Sequence, residues 1–294
     1  MGRLFALNAA TLALLLPLEF LKYFSSAGNT PAFADTNTIG AWFENLFFVQ
    51  TWFLGHGPSW NTVAWSISAE WAAYILYPAL FYILVRCPAI VLVGAAVAGL
   101  AWLESTSPSG TLRLTDHGAV LRCLCSFVLG MLTEHASHSP PVRRAVPWLG
   151  SGIVIFLAAL AALAVIAFGE ADWMAVPLFC AVVFGLSVAG PVPTAVMSWR
   201  PVHRLGVWSF ALYMTHFIVL RTYKVVAFWV FGLWPSPPAL VIVSLCGTFA
   251  LCIAVAWAAN RWIERPGYRA MRQLAERIRR SGPPSDPKPV TTPA

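Results

Sequence analysis

Charge is scarce in this sequence. Asp, Glu, Lys and Arg make up 11% of its 294 residues, whereas a soluble domain carries about 25%. So few charges leave no continuous polar face for water, which argues against a soluble all-helical protein with a greasy core. The glycine and histidine motifs of common soluble enzymes are also absent. No Walker loop, no GxGxxG, no GxSxG elbow and no HExxH occurs, so nothing points to a P-loop NTPase, a dinucleotide enzyme, an α/β-hydrolase or a zincin. The six cysteines (Cys87, Cys123, Cys125, Cys180, Cys246 and Cys252) form no paired CxxC motif and fall in or beside apolar runs. They read as small packing residues, and no metal site is implied. No internal repeat is visible.

What is abundant is apolar surface: 59% of the residues are hydrophobic and the mean hydropathy is +0.70. About eight hydrophobic segments follow one another, near Arg3–Phe20, Val63–Val85, Ala89–Leu103, Ala119–Thr133, Trp148–Phe168, Trp173–Ala189, Leu205–Thr222 and Ala239–Ile263. An aromatic, partly amphipathic stretch, Ile39–Leu54, lies between the first two. Segments of this length in lipid must be helices, because unpaired backbone groups are too costly there. The expectation is an all-α polytopic membrane helical bundle with about eight transmembrane helices over residues 1–272. A cytoplasmic, disordered, basic and Pro-rich tail is expected over residues 273–294.

Much of the net charge of +7 gathers between Arg261 and Arg280. Beside an apolar span, such a cluster suits the anionic cytoplasmic leaflet rather than nucleic acid. With Arg3 inside, Arg86, Arg143, Arg144, Arg200, Arg204 and the tail also fall inside. The opposite connections hold Lys22, Arg113 and Lys224 against Asp35, Glu44, Asp116, Glu170 and Asp172. The positive-inside rule then places both termini in the cytoplasm of a multi-pass protein of the cell's inner membrane. Ala32-Phe33-Ala34 has the form of a signal-cleavage site, but it lies too far from the first apolar run to read as one.

A charged group inside a span is costly and usually faces a cavity or a partner. Four groups stand out. In Trp60-Asn61-Thr62-Val63-Ala64-Trp65-Ser66-Ile67-Ser68-Ala69-Glu70-Trp71, Ser66 and Glu70 are i and i+4 on one helical face, continued by Tyr74 and Tyr77. Arg122 can neutralise Glu70, or hold an anionic or hydroxyl-rich ligand with its planar fork. Ser209, Tyr213 and His216 form a second stripe at i, i+4 and i+7. Glu264-Arg265-Pro266 closes the last span, where Pro266 is expected to end the helix. Together these predict a polar cavity holding Glu, Arg, His, Ser and Tyr, as either a transporter or an intramembrane enzyme needs.

Four blocks carry a resemblance. SWNTVAWSISAEWAAYILYPALF resembles the W-S-[IL]-S-x-E helix of the membrane acyltransferase 3 family. LRCLCSFVLGML resembles its Arg-containing span, LGVWSFALYMTHFIVL its L-G-x-x-S-Y-x-L-Y-L-x-H span with Phe210 in place of Tyr, and ANRWIERPGYRA its closing E-[RK]-P segment. The blocks fall in family order and extend to about Arg272.

The resemblance implies an integral membrane O-acyltransferase. Such an enzyme moves an acyl group, usually acetyl from acetyl-CoA, to a hydroxyl of a sugar, a cell-surface polysaccharide or another lipid-linked glycan. No tightly bound cofactor is implied; acyl-CoA is a co-substrate, and the partners are that donor, the glycan acceptor and the lipid bilayer, with no nucleic acid. Site residues are then Glu70, His216 and Ser66 as catalytic groups, with Arg122, Trp65, Asn61 and Tyr213 binding substrate.

The family pattern has about ten spans and opens with a basic residue and a catalytic histidine. RLFALNAATLALLL resembles the start of its third span, so the first two are expected to be missing, through a late start assignment or a truncated gene. The competing expectations are a proton-coupled secondary transporter using Glu70 and His216, and an inactive truncated member.

Overall fold

The structure is a computed structural model that describes residues 2–25, 32–52, 55, 57–169, 171–229 and 238–281. Every described element is helical or irregular. The helices are α1 (Gly2–Ser25), α2 (Ile39–Leu46), α3 (Trp65–Arg86), α4 (Ala89–Thr106), α5 (His117–Ser137) and α6 (Pro140–Leu149). They continue as α7 (Gly152–Phe168), α8 (Ala175–Ser187), α9 (Pro191–Ser198), α10 (Arg200–Trp229), α11 (Pro238–Ala259) and α12 (Arg265–Ser281). Short 3₁₀ turns at Thr62–Ala64 and Asp172–Met174 lead into α3 and α8.

Local chemistry sets several boundaries. Thr38 caps α2, its hydroxyl accepting the Ala41 N–H at 3.1 Å. Ser151 caps α7 by accepting from the Val154 N–H, and α7 ends on Gly169 at φ 70°, a left-handed position that glycine adopts without strain. Gly190-Pro191 separates α8 from α9, because the residue before a proline is driven to extended geometry; the two helices meet at 95°.

All eight predicted apolar segments are helical, although eight spans are not shown. Among the described residues, four helical stretches are long and apolar enough to cross a bilayer: 62–86, 89–106, 118–137 and 242–278. The bent α8–α9 pair makes a fifth if it is one span. The apolar parts of α1 and α7 are shorter, Leu4–Pro17 and Gly152–Phe168. Helix α10 is long but carries Arg200, His203 and Arg204 near its start and Arg221 and Lys224 near its end. The outward faces are apolar, as on α7, where Ile153, Phe156, Leu157, Leu160 and Leu163 are exposed. Water would oppose that face and lipid tails would not.

Two expectations at the C-terminal end change. Pro266 does not stop the helix. A π-helical turn, Asn260–Glu264, precedes it, and the Arg265 N–H reaches back to the Asn260 carbonyl. The widened turn makes room for a ring that would otherwise clash with the carbonyl four residues earlier. Residues 273–281, expected in a disordered tail, are the last turns of α12, whose Arg272–Glu276 pair at 2.9 Å follows helical i,i+4 spacing. Residues 282–294 lie outside the described residues.

Four packed groups form the core among the described residues, and two of them are larger. Leu7 of α1, Ile67 of α3, Met214 of α10 and Ala256 of α11 meet in one cluster. Leu100 and Leu103 of α4, Leu129 of α5 and Val176 of α8 meet in another. Small residues join the groups: Ala69 and Ala72 of α3 pack on Ala119 and Val120 of α5, the close approach that helices use when lipid gives no hydrophobic drive.

The amphipathic stretch is more buried than its pattern suggests. Only Ile39–Leu46 is helical, and the following chain folds inward. Asn45, Gln50, Thr51 and Ser59 are all buried. Asn45 donates to Ser59 Oγ at 2.6 Å, and Asn8 of α1 donates to the Asn45 carbonyl at 2.8 Å. Thr51 and Trp52 both bond Ser68 of α3. Phe33, within Ala32-Phe33-Ala34, packs on Phe20 and Trp60.

Candidate active site

The 3₁₀ turn at Thr62–Ala64 delivers α3 against α10, and the contact is polar. Ser66 Oγ and Tyr213 Oη lie 2.8 Å apart, and the Tyr213 hydroxyl donates to the Val63 carbonyl at 2.6 Å. A phenol has one proton. With that proton on Val63, the Ser66 hydroxyl must donate to Tyr213, leaving only lone pairs to offer a substrate. The Ser66 proton is thus engaged, and its lone pairs are what it presents to the cavity.

One turn on, Glu70 lies on the same wall. Ser66, Ile67, Glu70, Tyr74, Ser209, Phe210 and Tyr213 enclose a cavity of about 700 Å³, with Leu4 of α1 and Tyr268 of α12 across from them. Glu70 is exposed to this space, and among the described residues no hydrogen bond or ion pair reaches its carboxylate. The lining therefore offers a carboxylate, the hydroxyls of two serines and three tyrosines, and aromatic rims: polar groups and flat apolar surfaces suited to a hydroxyl-bearing ring.

Arg122 does not pair with Glu70. Its guanidinium stacks over the Trp65 ring, 4.8 Å from the centroid, and donates to the Leu112 carbonyl. It stands behind Trp65 rather than on the cavity wall. Tyr213 lies within the fields of both Glu70 and Arg122.

His216 opens elsewhere. It lines a neighbouring cavity of about 750 Å³ between α10 and α11, with Leu220, Leu245, Phe249 and Cys252. Ser209 and Tyr213 belong to both cavities and form the partition between them. The imidazole Nδ1 bonds the Tyr213 carbonyl at 2.7 Å and the Leu212 carbonyl at 3.2 Å. Carbonyls only accept, so Nδ1 carries the proton and Nε2 keeps its lone pair in the neutral ring.

Asn61 moves out of the ligand-lining set. Its side chain is fully buried, donating to the Met214 carbonyl of α10 at 3.1 Å and to Thr11 of α1 at 3.4 Å. It ties three elements together and has no exposed surface for a substrate. The single polar cavity expected from the sequence is therefore divided: Glu70, Ser66 and Tyr213 line one cavity, and His216 lines a second that is mostly apolar.

Sequence reading also missed a pair of carboxylates. Glu104, at the end of α4, accepts the Asp172 N–H at 3.1 Å and the Trp173 N–H at 2.8 Å. Asp172, expected as an outer-surface charge, is buried and accepts the Leu112 N–H at 3.2 Å. The signal was an acidic residue in the last turn of an apolar helix, where its own helix dipole disfavours it.

A family model described as Acyltransferase domain matches residues 2–257. The chain belongs to the acyltransferase 3 family. It is 28% identical over 206 residues to acyltransferase MdmB of Streptomyces mycarofaciens, a match covering 60% of this chain and 50% of that relative. The chain thus spans about half the length of the curated relative it matches. No solved structure matches it. Family membership and the lipid-facing apolar helices together make this a membrane protein.

Proposed function

We propose that this member of the acyltransferase 3 family transfers an acyl group, acetyl in the simplest case, from acyl-CoA to a hydroxyl of a sugar or cell-surface glycan. The observation that carries the reading is the wall on which Glu70, Ser66 and Tyr213 meet in one cavity between α3 and α10. The acceptor hydroxyl hydrogen-bonds to the Glu70 carboxylate, which polarises it and takes its proton as the oxygen attacks the thioester carbonyl. The C–O bond forms, the C–S bond breaks, and the proton ends on the coenzyme thiolate. Ser66, held by Tyr213, accepts a second hydrogen bond from the acceptor and fixes its orientation. Tyr74 and Tyr268 supply flat faces for a sugar ring. Trp65 and Arg122 act from behind: the guanidinium holds the indole, and its positive field stabilises charge developing on the thioester oxygen.

His216, with an available Nε2 beside the Tyr213 partition, is the candidate second base, taking protons that reach it from the neighbouring cavity. The thioester itself supplies the activation, so the reaction needs no tightly bound cofactor. We place the protein in the inner membrane with both termini cytoplasmic, on the side where acyl-CoA is made.

The test is transfer itself. The protein is reconstituted in lipid and given labelled acetyl-CoA and a glycan fraction from the cell surface. Label moving to the glycan, and lost in Glu70→Gln, supports the reading. No transfer to any acceptor, by this chain and by an N-terminally extended form alike, sinks it.

A further inference from the structure

A third cavity, of about 400 Å³, opens where the start of α10 meets the end of α11 and the start of α12. It is unlike the other two. His203 and Arg204 come from α10, Arg261 from the π-turn, and Arg265 from the first position of α12. Among the described residues no carboxylate lies within ion-pair distance of Arg204, Arg261 or Arg265. Asn260 and Glu264, the carboxamide and carboxylate of the same turn, bond each other at 2.9 Å and are buried. Three uncompensated guanidiniums around one hollow repel each other, and an anion relieves that cost. The π-turn contributes too: the extra residue in the turn brings Asn260 and Arg261 to the same opening.

Two indoles complete the lining, Trp208 and Trp257. Planar cations beside flat aromatic walls suit a phosphorylated nucleotide, whose phosphates take the arginine forks and whose base stacks on an indole. The position relative to the Glu70 cavity fits as well. Arg204 and Tyr213 lie nine residues apart on one helix, about 13 Å along its axis. Helix α12 touches both hollows, Arg265 at one and Tyr268 at the other.

We propose that this cavity binds the phosphorylated nucleotide end of the acyl donor, leaving the acyl end to extend towards Glu70. The assignment rests on the acyl-CoA reading above. Positive-inside topology and the interfacial aromatic belt explain arginines and indoles near a cytoplasmic surface, but not three arginines and two indoles lining one hollow.

The experiment measures binding and transfer separately on the full chain in phosphatidylcholine nanodiscs, which remove competing anionic lipid. Labelled acetyl-CoA is displaced by adenosine 3′,5′-bisphosphate and by inorganic pyrophosphate. In Arg261→Gln and Arg265→Gln the affinity for acetyl-CoA and for both competitors falls about tenfold or more for each arginine. Trp257→Ala weakens the bisphosphate more than the pyrophosphate, and Trp257→Phe restores it. Unfolding temperature, read on every variant, separates lost binding from lost fold, and Arg204→Gln repeats the test where one variant unfolds. Unchanged acetyl-CoA affinity in folded variants overturns the assignment, even if glycan transfer proceeds. Displacement only when phosphatidylglycerol is added also overturns it, because the anion is then a lipid headgroup. Charge-dependent coenzyme binding with no transfer to any glycan leaves this site standing and removes the transferase reading instead.

Discussion

The hydroxyls of Ser66 and Tyr213 lie 2.8 Å apart, although 147 residues separate them in the chain. That bond joins α3 to α10, and the Val63 carbonyl fixes its direction by taking the phenol proton. The two residues therefore act as one unit, and their substitutions are not additive. Tyr213→Phe removes both hydrogen bonds and frees Ser66 to rotate; Ser66→Ala removes one. Acyl transfer should fall about tenfold in Ser66→Ala and further in Tyr213→Phe, consistent with about 0.5–1.5 kcal/mol per hydrogen bond. The double variant should resemble Tyr213→Phe alone. A double-mutant cycle on kcat/KM checks this, and simple additivity would separate the pair.

Glu70 should show the opposite balance between activity and stability. It faces open space and supports no described neighbour, so Glu70→Gln leaves no buried group without a partner. Loss of a positioned acid or base costs about 10²–10⁴-fold. Transfer should fall by that order while the unfolding temperature in detergent stays within a degree or two of wild type. A large drop in unfolding temperature would show that Glu70 serves the fold instead.

Asn61 predicts the reverse. Its amide bridges α1, the turn before α3, and α10. Asn61→Ala removes both of these hydrogen bonds from a buried site, at a cost of about 0.5–1.5 kcal/mol each. Thermal unfolding should report that loss directly. Activity should recover in step with the folded fraction when the protein is assayed at lower temperature.

How much of this was readable beforehand depends on the range of the interaction. The eight apolar segments became helices because lipid leaves the backbone no other choice, and the Ser66–Glu70 face followed from helical periodicity within α3. The blocks that resemble the acyltransferase family gave the order of the site-bearing helices. Long-range geometry was not readable. Nothing local shows that Tyr213 meets Ser66, that Asn61 points into the core, or that Arg122 turns to Trp65 instead of Glu70. The partly amphipathic stretch from Ile39 to Leu54 misled because two of its polar side chains, Asn45 and Thr51, bond Ser59 and Ser68 inside the protein. Pro266 misled because a π-turn is invisible to a rule written for regular helices.

Glu104 gives a prediction of a different kind. Its two carboxylate oxygens take the N–H groups of Asp172 and Trp173 at the mouth of α8, and Asp172 takes the N–H of Leu112, whose carbonyl receives Arg122. The chain of bonds runs from the end of α4 to the guanidinium behind Trp65. Glu104→Gln keeps the shape but exchanges one accepting oxygen for a donor facing an N–H, so one bond becomes a repulsion. Stability should fall by about 1–3 kcal/mol.

Because Arg122 sits at the far end of the same network, some loss should also appear in catalysis. The discriminating measurement is the split between kcat and KM at a temperature where the variant is fully folded. If the network only holds the fold, both constants match wild type there. If it also positions Arg122, kcat falls while KM for the proposed acceptor holds, and Arg122→Lys, which keeps charge but loses the planar fork over Trp65, shows the same split.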